Sequence, residues 1–486
     1  MEENSSVLSC GANWLALCFA FALGEACGFA ASRYAALWPV AALASPVVAL
    51  GLVASGARGV RFAVAFALGL VLSLAAAHAR NEALADATVR ACGAPFARTF
   101  AVEGDARVRV GKEGVRWASF PARTGALRVR VILPLTDGDA PPARGESWEC
   151  AGWLERTEQD DPSHRRILWV KGTGTYARRV GVGAFAACLA ALRADLSRRM
   201  GIGLDDPGDA DLARAILLGE RTRLSKDDRS AFVAAGTIHV FAISGLHVML
   251  VAEALALALA LCGCPLRGRG VVLVPLLWLY VALTGGSPSA VRAAAMASLK
   301  FLSPLFWRRA DGLVAWSLTF LAVYAFDPLM FFDVGCALSF AVMLGLVFWG
   351  RFAHEFVRNR VASALVMTFA AWAVGTPIAA HAFGRFTPGG LLANLALLPA
   401  AGVGVKASIA GVLASFVSDR LAAYANNFAA LVTQAMADLS RIVASLPGAN
   451  ASVEPWSLAA CAGWYVSLAL LLWLIRSVLS RRRRQL

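Results

Sequence analysis

The chain has 486 residues, 58% of them hydrophobic and 16% charged, where soluble domains carry roughly 45–50% apolar and ~25% charged residues. Water is therefore not its main solvent, which excludes an ordinary soluble protein. The formal charge of +14 fits either a polyanionic partner or the basic cytoplasmic loops of a membrane protein, and does not decide between them.

Residues 1–80 hold three apolar runs, near 13–31, 36–55 and 60–78, each close to the ~20 residues that cross a bilayer. The first run follows the acidic MEENSS without a basic n-region and reads as a retained helix rather than a cleaved signal. Arg58 and Arg61, against a single Arg33, put the loop between the second and third runs in the cytoplasm. The third helix then exits, and the following stretch lies outside.

From Arg98 to Arg179 the pattern becomes short alternating runs, such as Ala106-Arg-Val-Arg-Val110, Leu127-Arg-Val-Arg-Val131 and Ile167-Leu-Trp-Val170. Period-two runs separated by Gly, Pro and Asp are strands. Five or six of them fit a small extracytoplasmic β-barrel of OB type, spanning 97–179. Cys92 and Cys150 flank this insert and form a candidate disulfide if it lies outside the cytoplasm. The ten cysteines contain no C-x-x-C pair, and Cys262 with Cys264 lack the company of a zinc site, so no metal and no cofactor are expected.

Residues 182–200 have one apolar face and an Arg-rich end, as an interfacial amphipathic helix would within a 180–208 linker. A membrane domain follows over 209–450, opening on a soluble helical piece (209–236). Apolar runs lie near 240–262, 270–284, 290–306, 312–326, 335–350, 361–382 and 390–415, with a last run near 456–476 inside the 451–486 segment. Arg267 and Arg269, Arg308 and Arg309, and Arg351, Arg358 and Arg360 occupy alternate loops, and Arg481 to Arg484 close the chain; all four groups belong on the cytoplasmic side. Eight full crossings from an external insert would leave that basic tail outside. The glycine-rich 390–415, with Lys406 at membrane depth, is the expected exception as a broken or re-entrant segment. Asp438 and Arg441 make 421–446 a surface helix. The fold class is a polytopic α-helical membrane protein with an inserted small all-β domain.

Polar groups inside a bilayer are costly and are functional candidates by default. Four islands stand out. In Gly236-Thr-Ile-His239-Val-Phe-Ala-Ile-Ser244-Gly245-Leu-His247, a continuous helix would hold His239, Ser244 and His247 within an arc of roughly 140°; the plainer alternative is a packing kink with histidines bonded to neighbouring helices. In Thr284-Gly-Gly-Ser287-Pro288-Ser289-Ala-Val-Arg292, Ser287 is the N-cap, Pro288 the first helical residue, and Arg292 lies one turn inside. Asp333, ahead of Gly335 and Ser339, caps the next helix and can pair with Arg292. The fourth island runs from Phe386 to Asn394, with Pro399 beyond. Leu217-Leu-Gly219-Glu220-Arg221 reads by itself as a solvated turn. A serine near a histidine also raises an intramembrane serine hydrolase, but Ala242 and Leu246 replace both glycines of G-x-S-x-G.

In this order the islands resemble the ComEC competence family, the membrane channel of natural transformation, over about residues 210–415: Leu217 to Arg221, Gly236-x-x-His239 to Ser244-Gly245-Leu246-His247, Gly285 to Ser289 with Arg292-Ala293, Asp333-x-Gly335 to Leu338-Ser339-Phe340, and Asn394 with Pro399. The resemblance implies an inner-membrane, multi-pass channel for single-stranded DNA, with His239, Ser244, Gly245, His247, Arg292, Asp333, Ser339 and Asn394 as channel-lining or functional residues. It also implies an OB-type domain where the short strands lie. Many members carry a metallo-β-lactamase-like domain with an H-x-H-x-D-H site. This sequence has no such motif, so transport without catalysis is expected of it, and strand degradation belongs to another protein or a part absent here.

Small barrels bind single strands through a positive groove and stacking aromatics. Arg107, Arg109, Lys112, Arg128, Arg130 and Trp117 are the candidate DNA-binding residues, with solvated strand faces as the alternative. No G-x-x-x-x-G-K-[ST] is present, so a powered channel needs a separate cytoplasmic ATPase besides DNA-receiving proteins, membrane lipid and, as a homo-oligomer, further copies of itself. A transporter of another polyanion or of a lipid-linked substrate would use the same broken helices.

Overall fold

Seven strands form one sheet: β1 (Phe96–Val102), β2 (Arg107–Val110), β3 (Arg116–Thr124), β4 (Leu127–Leu135), β5 (Glu146–Glu155), β6 (Arg166–Trp169) and β7 (Ala177–Val182), with alternate residues of β3 and β4 turned inward. The structure is a computed structural model, and it describes residues 18, 75, 96–104, 106–110, 115–124, 127–135, 141–155, 166–169, 177–220, 224–241, 243–306, 312–326, 334–357 and 359–485. The three apolar runs before residue 80, apart from Cys18 and Ala75, and Cys92, Lys112, Arg221 and Asp333 lie outside the described residues. Residues 193–316 and 334–486 form one compact unit, and the sheet belongs to the other.

β1 pairs with β3 and with β5, β3 with β4, β4 with β6 in parallel, and β6 with β5. Hydrogen bonding therefore runs through five strands and back to the first, a curled sheet in which these strands have partners on both sides. β2 adds to β3 and β7 to β5. Phe100, Ala118, Phe120, Ala122, Val129, Val131, Leu133 and Cys150 fill the interior. Cys150 carries a free thiol there, and burial, with a smaller effect of the Glu149 charge, pushes it up to about 12. Glu146 fixes the β5 edge: its carboxylate accepts the Trp148 indole N–H at 2.7 Å and pairs with Arg179 at 2.9 Å.

Helices follow: α1 (Ala184–Arg199), α2 (Asp211–Leu217), α3 (Lys226–Ala234), α4 (Gly245–Leu261), α5 (Leu266–Leu283), α6 (Pro288–Leu302), α7 (Gly312–Phe326), α8 (Val334–Phe356), α9 (Arg360–Phe383), α10 (Gly389–Ala414), α11 (Asp419–Ser445) and α12 (Leu458–Gln485). Each apolar run expected beyond residue 240 is a helix. Among the described residues, α8, α9, α10 and the Leu458–Ile475 part of α12 are long and apolar enough to cross a membrane; Gly245–Leu261, Gly268–Leu283 and Gly312–Phe326 are shorter apolar helices. Trp349, Phe352 and Ala370 join α8 to α9, with Leu468 and Leu472 of α12 packed on them.

α10 corrects an expectation. The 390–415 segment is one continuous helix of 26 residues with Pro399 inside it. Its small residues form a packing seam rather than a break: Gly389, Ala393, Leu397, Ala401, Gly404, Ser408 and Gly411 are buried at helical spacing. They face the buried Ala422, Asn426, Ala429, Thr433, Ala437 and Ser440 of α11. Close approach of small residues is how apolar helices associate without a hydrophobic drive between them. A side chain at Gly411 would collide with Asn426 Oδ1, and one at Gly404 would come within 3.4 Å of Thr433 Cγ2. Lys406 is exposed, 4.0 Å from Glu253 of α4.

Candidate functional site

The stretch before α4 is broken where a continuous helix was expected. Gly236 takes φ +72°, and the Thr237 N–H turns back to the Phe232 carbonyl at 2.8 Å, which closes α3. A single 3-10 turn, Ile238–Phe241, carries the exposed His239. It is pinned by Phe241 against Phe232, edge to face at 4.6 Å. Ser244 is extended and stands as N-cap of α4. His239 thus does not share a helix face with Ser244 and His247, because tertiary packing of the two phenylalanines overrides local continuity. His247 is buried; its Nδ1 accepts the Ser244 N–H at 3.2 Å and lies 2.9 Å from Ser244 Oγ.

The start of α6 meets the start of α4. Ser287 caps α6, accepting the Ala290 N–H at 3.3 Å, with Pro288 in the first turn as its spacing required. The hydroxyls of Ser287 and Ser289 both donate to the Ile243 carbonyl, at 3.2 and 2.7 Å. A Cβ on Gly245 would lie 3.6 Å from that of Ala293. Arg292 is 3% exposed. Its Nη2 donates to the Gly335 carbonyl at 3.2 Å, and its guanidinium sits 5.3 Å from the Phe340 ring centroid. Phe340 is held in turn by Trp316, whose Nε1 donates to the Phe340 carbonyl at 2.9 Å. Arg292 therefore reaches the first turn of α8 at Gly335; Ser339, one turn further on, is half-buried.

The start of α10 closes on Gly236. A Cβ on Gly236 would lie 2.9 Å from Thr387 Cβ and Oγ1 and 3.4 Å from Gly390 Cα. Trp372 of α9 donates to the Thr387 carbonyl at 3.1 Å. Asn394 Oδ1, one turn into α10, is buried without a hydrogen-bond partner among the described residues.

Leu217 to Glu220 is not the solvated turn it resembles. Tyr280 donates to the Leu217 carbonyl at 2.9 Å, and Gly219, at φ +75°, leaves room for Ile243 and the Thr284 carbonyl. Glu220 accepts from Ser197 Oγ at 3.2 Å and pairs with Arg193 at 3.5 Å. Arg193, Ser197 and Tyr280 carry this arrangement without standing out in the sequence, whereas Ser287-Pro-Ser289 announced itself through its cap pattern and Thr387 lies in the fourth island. The polar islands, distant in sequence, thus meet in pairs: the start of α6 on that of α4, Arg292 of α6 on the start of α8, and the start of α10 on Gly236.

On the sheet, the register sorts the candidate basic residues. Arg107 faces Ser119, Arg109 faces Trp117, Arg130 faces Pro121 and Ile167, and Arg128 faces Arg123. Directly paired residues share a face, and the alternate residues Ala118, Phe120, Val129 and Val131 are buried. Arg109, Trp117 and Arg130 therefore belong to one outer face of β2, β3 and β4. Arg109 is exposed, while Trp117 and Arg130 are half-buried.

Fold and site together define a mostly helical protein with, among the described residues, four helices long and apolar enough to cross a membrane, a small curled sheet, and polar groups at helix starts. A family model described as Competence protein matches residues 216–478, more than half of the 486 residues, and the chain belongs to that family. It is 27% identical to ComE operon protein 3 of Bacillus subtilis (strain 168) over 193 residues, 40% of this chain and 25% of that protein. It is 33% identical to Competence protein ComA of Neisseria gonorrhoeae over 172 residues, 33% of this chain and 24% of that one. An uncharacterized protein of Aquifex aeolicus (strain VF5) is 30% identical over 186 residues, 38% of this chain and 43% of its own length. The match thus spans about a quarter of the two competence relatives. No solved structure matches the chain.

Proposed function

We propose that this protein is an inner-membrane channel through which single-stranded DNA enters the cytoplasm during natural transformation. Family membership supports a role in DNA uptake. The observation that carries the reading is the meeting of the starts of α4, α6 and α8 through Ser287, Ser289 and Arg292, with Ser244 and His247 at the first of them and the start of α10 packed on Gly236. Helix N-termini carry partial positive charge, and with Arg292 they offer a passing phosphodiester both field and donors. An unpartnered acceptor such as Asn394 Oδ1 costs about 1–3 kcal/mol, a cost consistent with a polar path that is wet or filled in use.

The sheet serves as receptor in this reading. Its closed five-strand pairing, with one parallel pair, supports an OB-type barrel, and such barrels bind oligonucleotides on an outer strand face. The Arg–Trp face of β2, β3 and β4 has the basic and stacking groups that single strands need. The sequence contains no phosphate-binding P-loop, so a separate ATPase is the expected source of work.

The short Ser244–His247 contact is the one observation favouring a hydrolase. We assign it instead to the start of α4, because His247 Nδ1 also takes the Ser244 backbone N–H. Ser244→Ala separates the two: hydrolysis would collapse, whereas a channel keeps part of its flux. The assignment as a whole is tested by deleting the gene in its host and measuring DNA outside the inner membrane and in the cytoplasm separately. Accumulation outside with loss inside is expected; normal cytoplasmic arrival overturns the reading.

A further inference from the structure

α9 ends at Gly384, whose left-handed backbone (φ +59°) swings the chain out of the helix. A two-residue strand, β8 (Arg385–Phe386), follows and pairs antiparallel with β9 (Ala451–Ser452). Two further backbone bonds, Val453 N–H to Gly384 O and Gly389 N–H to Ala449 O, both 3.0 Å, make this a stiff rim. Its next residue, Thr387, is the one packed on Gly236. The rim therefore adjoins the start of α10 where it packs on Gly236.

Four rings form a closed circuit on it: Trp372 to Phe386 at 6.1 Å, Phe386 to Trp456 at 6.2 Å, Trp456 to Trp464 at 5.5 Å, and Trp464 back to Trp372 at 6.2 Å. The rings are fixed in orientation. Trp372 and Trp464 spend their indole N–H groups on the Thr387 and Ala373 carbonyls, at 3.1 and 2.8 Å. The His381 Nδ1 lies 2.6 Å from the Trp456 carbonyl. Phe386 and Trp456 are near-parallel, 25° apart, and only half-buried. Arg385 and His381 are exposed beside them, with Glu454 the one exposed acid nearby in the chain. A lipid-interface girdle explains scattered tryptophans. It does not explain two near-parallel rings, one set by the β8–β9 pairing and the other with its carbonyl beside His381, flanked by Arg385 and one residue away from the contact with Gly236.

We propose that Phe386 and Trp456, with Arg385 and His381, form a base-stacking subsite for single-stranded DNA beside the polar helix starts. The inference rests on the channel reading and adds to it the element that grips nucleobases, since every base presents a π-face to a ring and a cation can meet the adjoining phosphate. The test uses the full chain in nanodiscs and a single-stranded oligonucleotide carrying 5-iodouracil, cross-linked by light and mapped by peptide mass. Adducts on Phe386 or Trp456 are expected. Trp456→Leu should lower the yield at subsaturating strand by about tenfold, the effect of losing one base–aromatic stack, while Trp456→Phe keeps it. Adducts confined to other segments, with an undiminished yield in Trp456→Leu, overturn the subsite and leave the channel standing. Absence of adducts anywhere on the chain overturns both.

Discussion

Gly236→Ala probes the junction on which the site depends. At φ +72° an L-residue costs about 1–2 kcal/mol. The new methyl would meet Thr387 Cβ and Oγ1 at 2.9 Å, and overpacking of that kind costs about 1–3 kcal/mol. Thr387 has little room to retreat, because its carbonyl is held by Trp372 and its neighbours by the β8–β9 rim. The sum is a loss of about 2–5 kcal/mol. Unfolding of the purified full chain in detergent, for Gly236→Ala, Thr387→Gly and the double variant, separates the two parts. The backbone cost persists in the double variant, whereas the clash disappears, leaving a favourable coupling of about 1–3 kcal/mol. A Gly236→Ala protein as stable as wild type, or strictly additive losses, would rule out the clash with Thr387.

Asn426 is 3% exposed and donates through one Nδ2 to both the Arg199 and Ile202 carbonyls, at 2.9 and 3.0 Å. Asn426→Ala should lower stability by about 1–3 kcal/mol, read by the same unfolding assay, because two acceptors lose their donor. Cys150 should resist maleimide at pH 8 in the folded protein while Cys188 and Cys262, both exposed, react; it should label on unfolding without reductant, and a requirement for reductant would instead indicate a bridge to Cys92. Its thiol is raised from 9.0 to about 12, so the folded state holds a proton that the unfolded state releases. That contribution to stability is complete below pH 9 and fades between 9 and about 12, which an alkaline unfolding series would show. Changing Arg109 and Arg130 together to Gln should weaken single-strand binding and lower the log–log salt slope by about 1.4, at ~0.7 per lost phosphate contact. An unchanged slope would remove this face as the receptor.

Much of the fold was legible because its signals are local. The apolar runs beyond residue 240 had helical length, Ser287-Pro288 announced the start of α6, and alternation over 106–110, 127–131 and 167–170 marked β2, β4 and β6. Three features were not local. Glycines in 390–415 suggested a break, yet they are the seam against Asn426 and Thr433, and glycine composition does not distinguish the two. The break between His239 and Ser244 comes from a left-handed Gly236 and a Phe232–Phe241 contact, neither visible in helical periodicity. The parallel β4–β6 pairing and the packing of Leu217 to Glu220 on Arg193, Ser197 and Tyr280 join residues with no sequence pattern in common. The candidate site was therefore readable as separate polar islands, and their pairwise meeting at helix starts was not.

The central claim is passage of single strands, and vesicles test it without reference to the host. Purified full chain is reconstituted in liposomes that enclose a quenched complementary probe, and a single strand is added outside with nuclease supplied afterwards to destroy whatever has not crossed. A channel gives a protein-dependent hybridisation signal inside, absent for duplex of the same sequence and reduced by loss of the Arg292 guanidinium. Signal no greater than in protein-free vesicles, with the partner ATPase supplied, would contradict the claim.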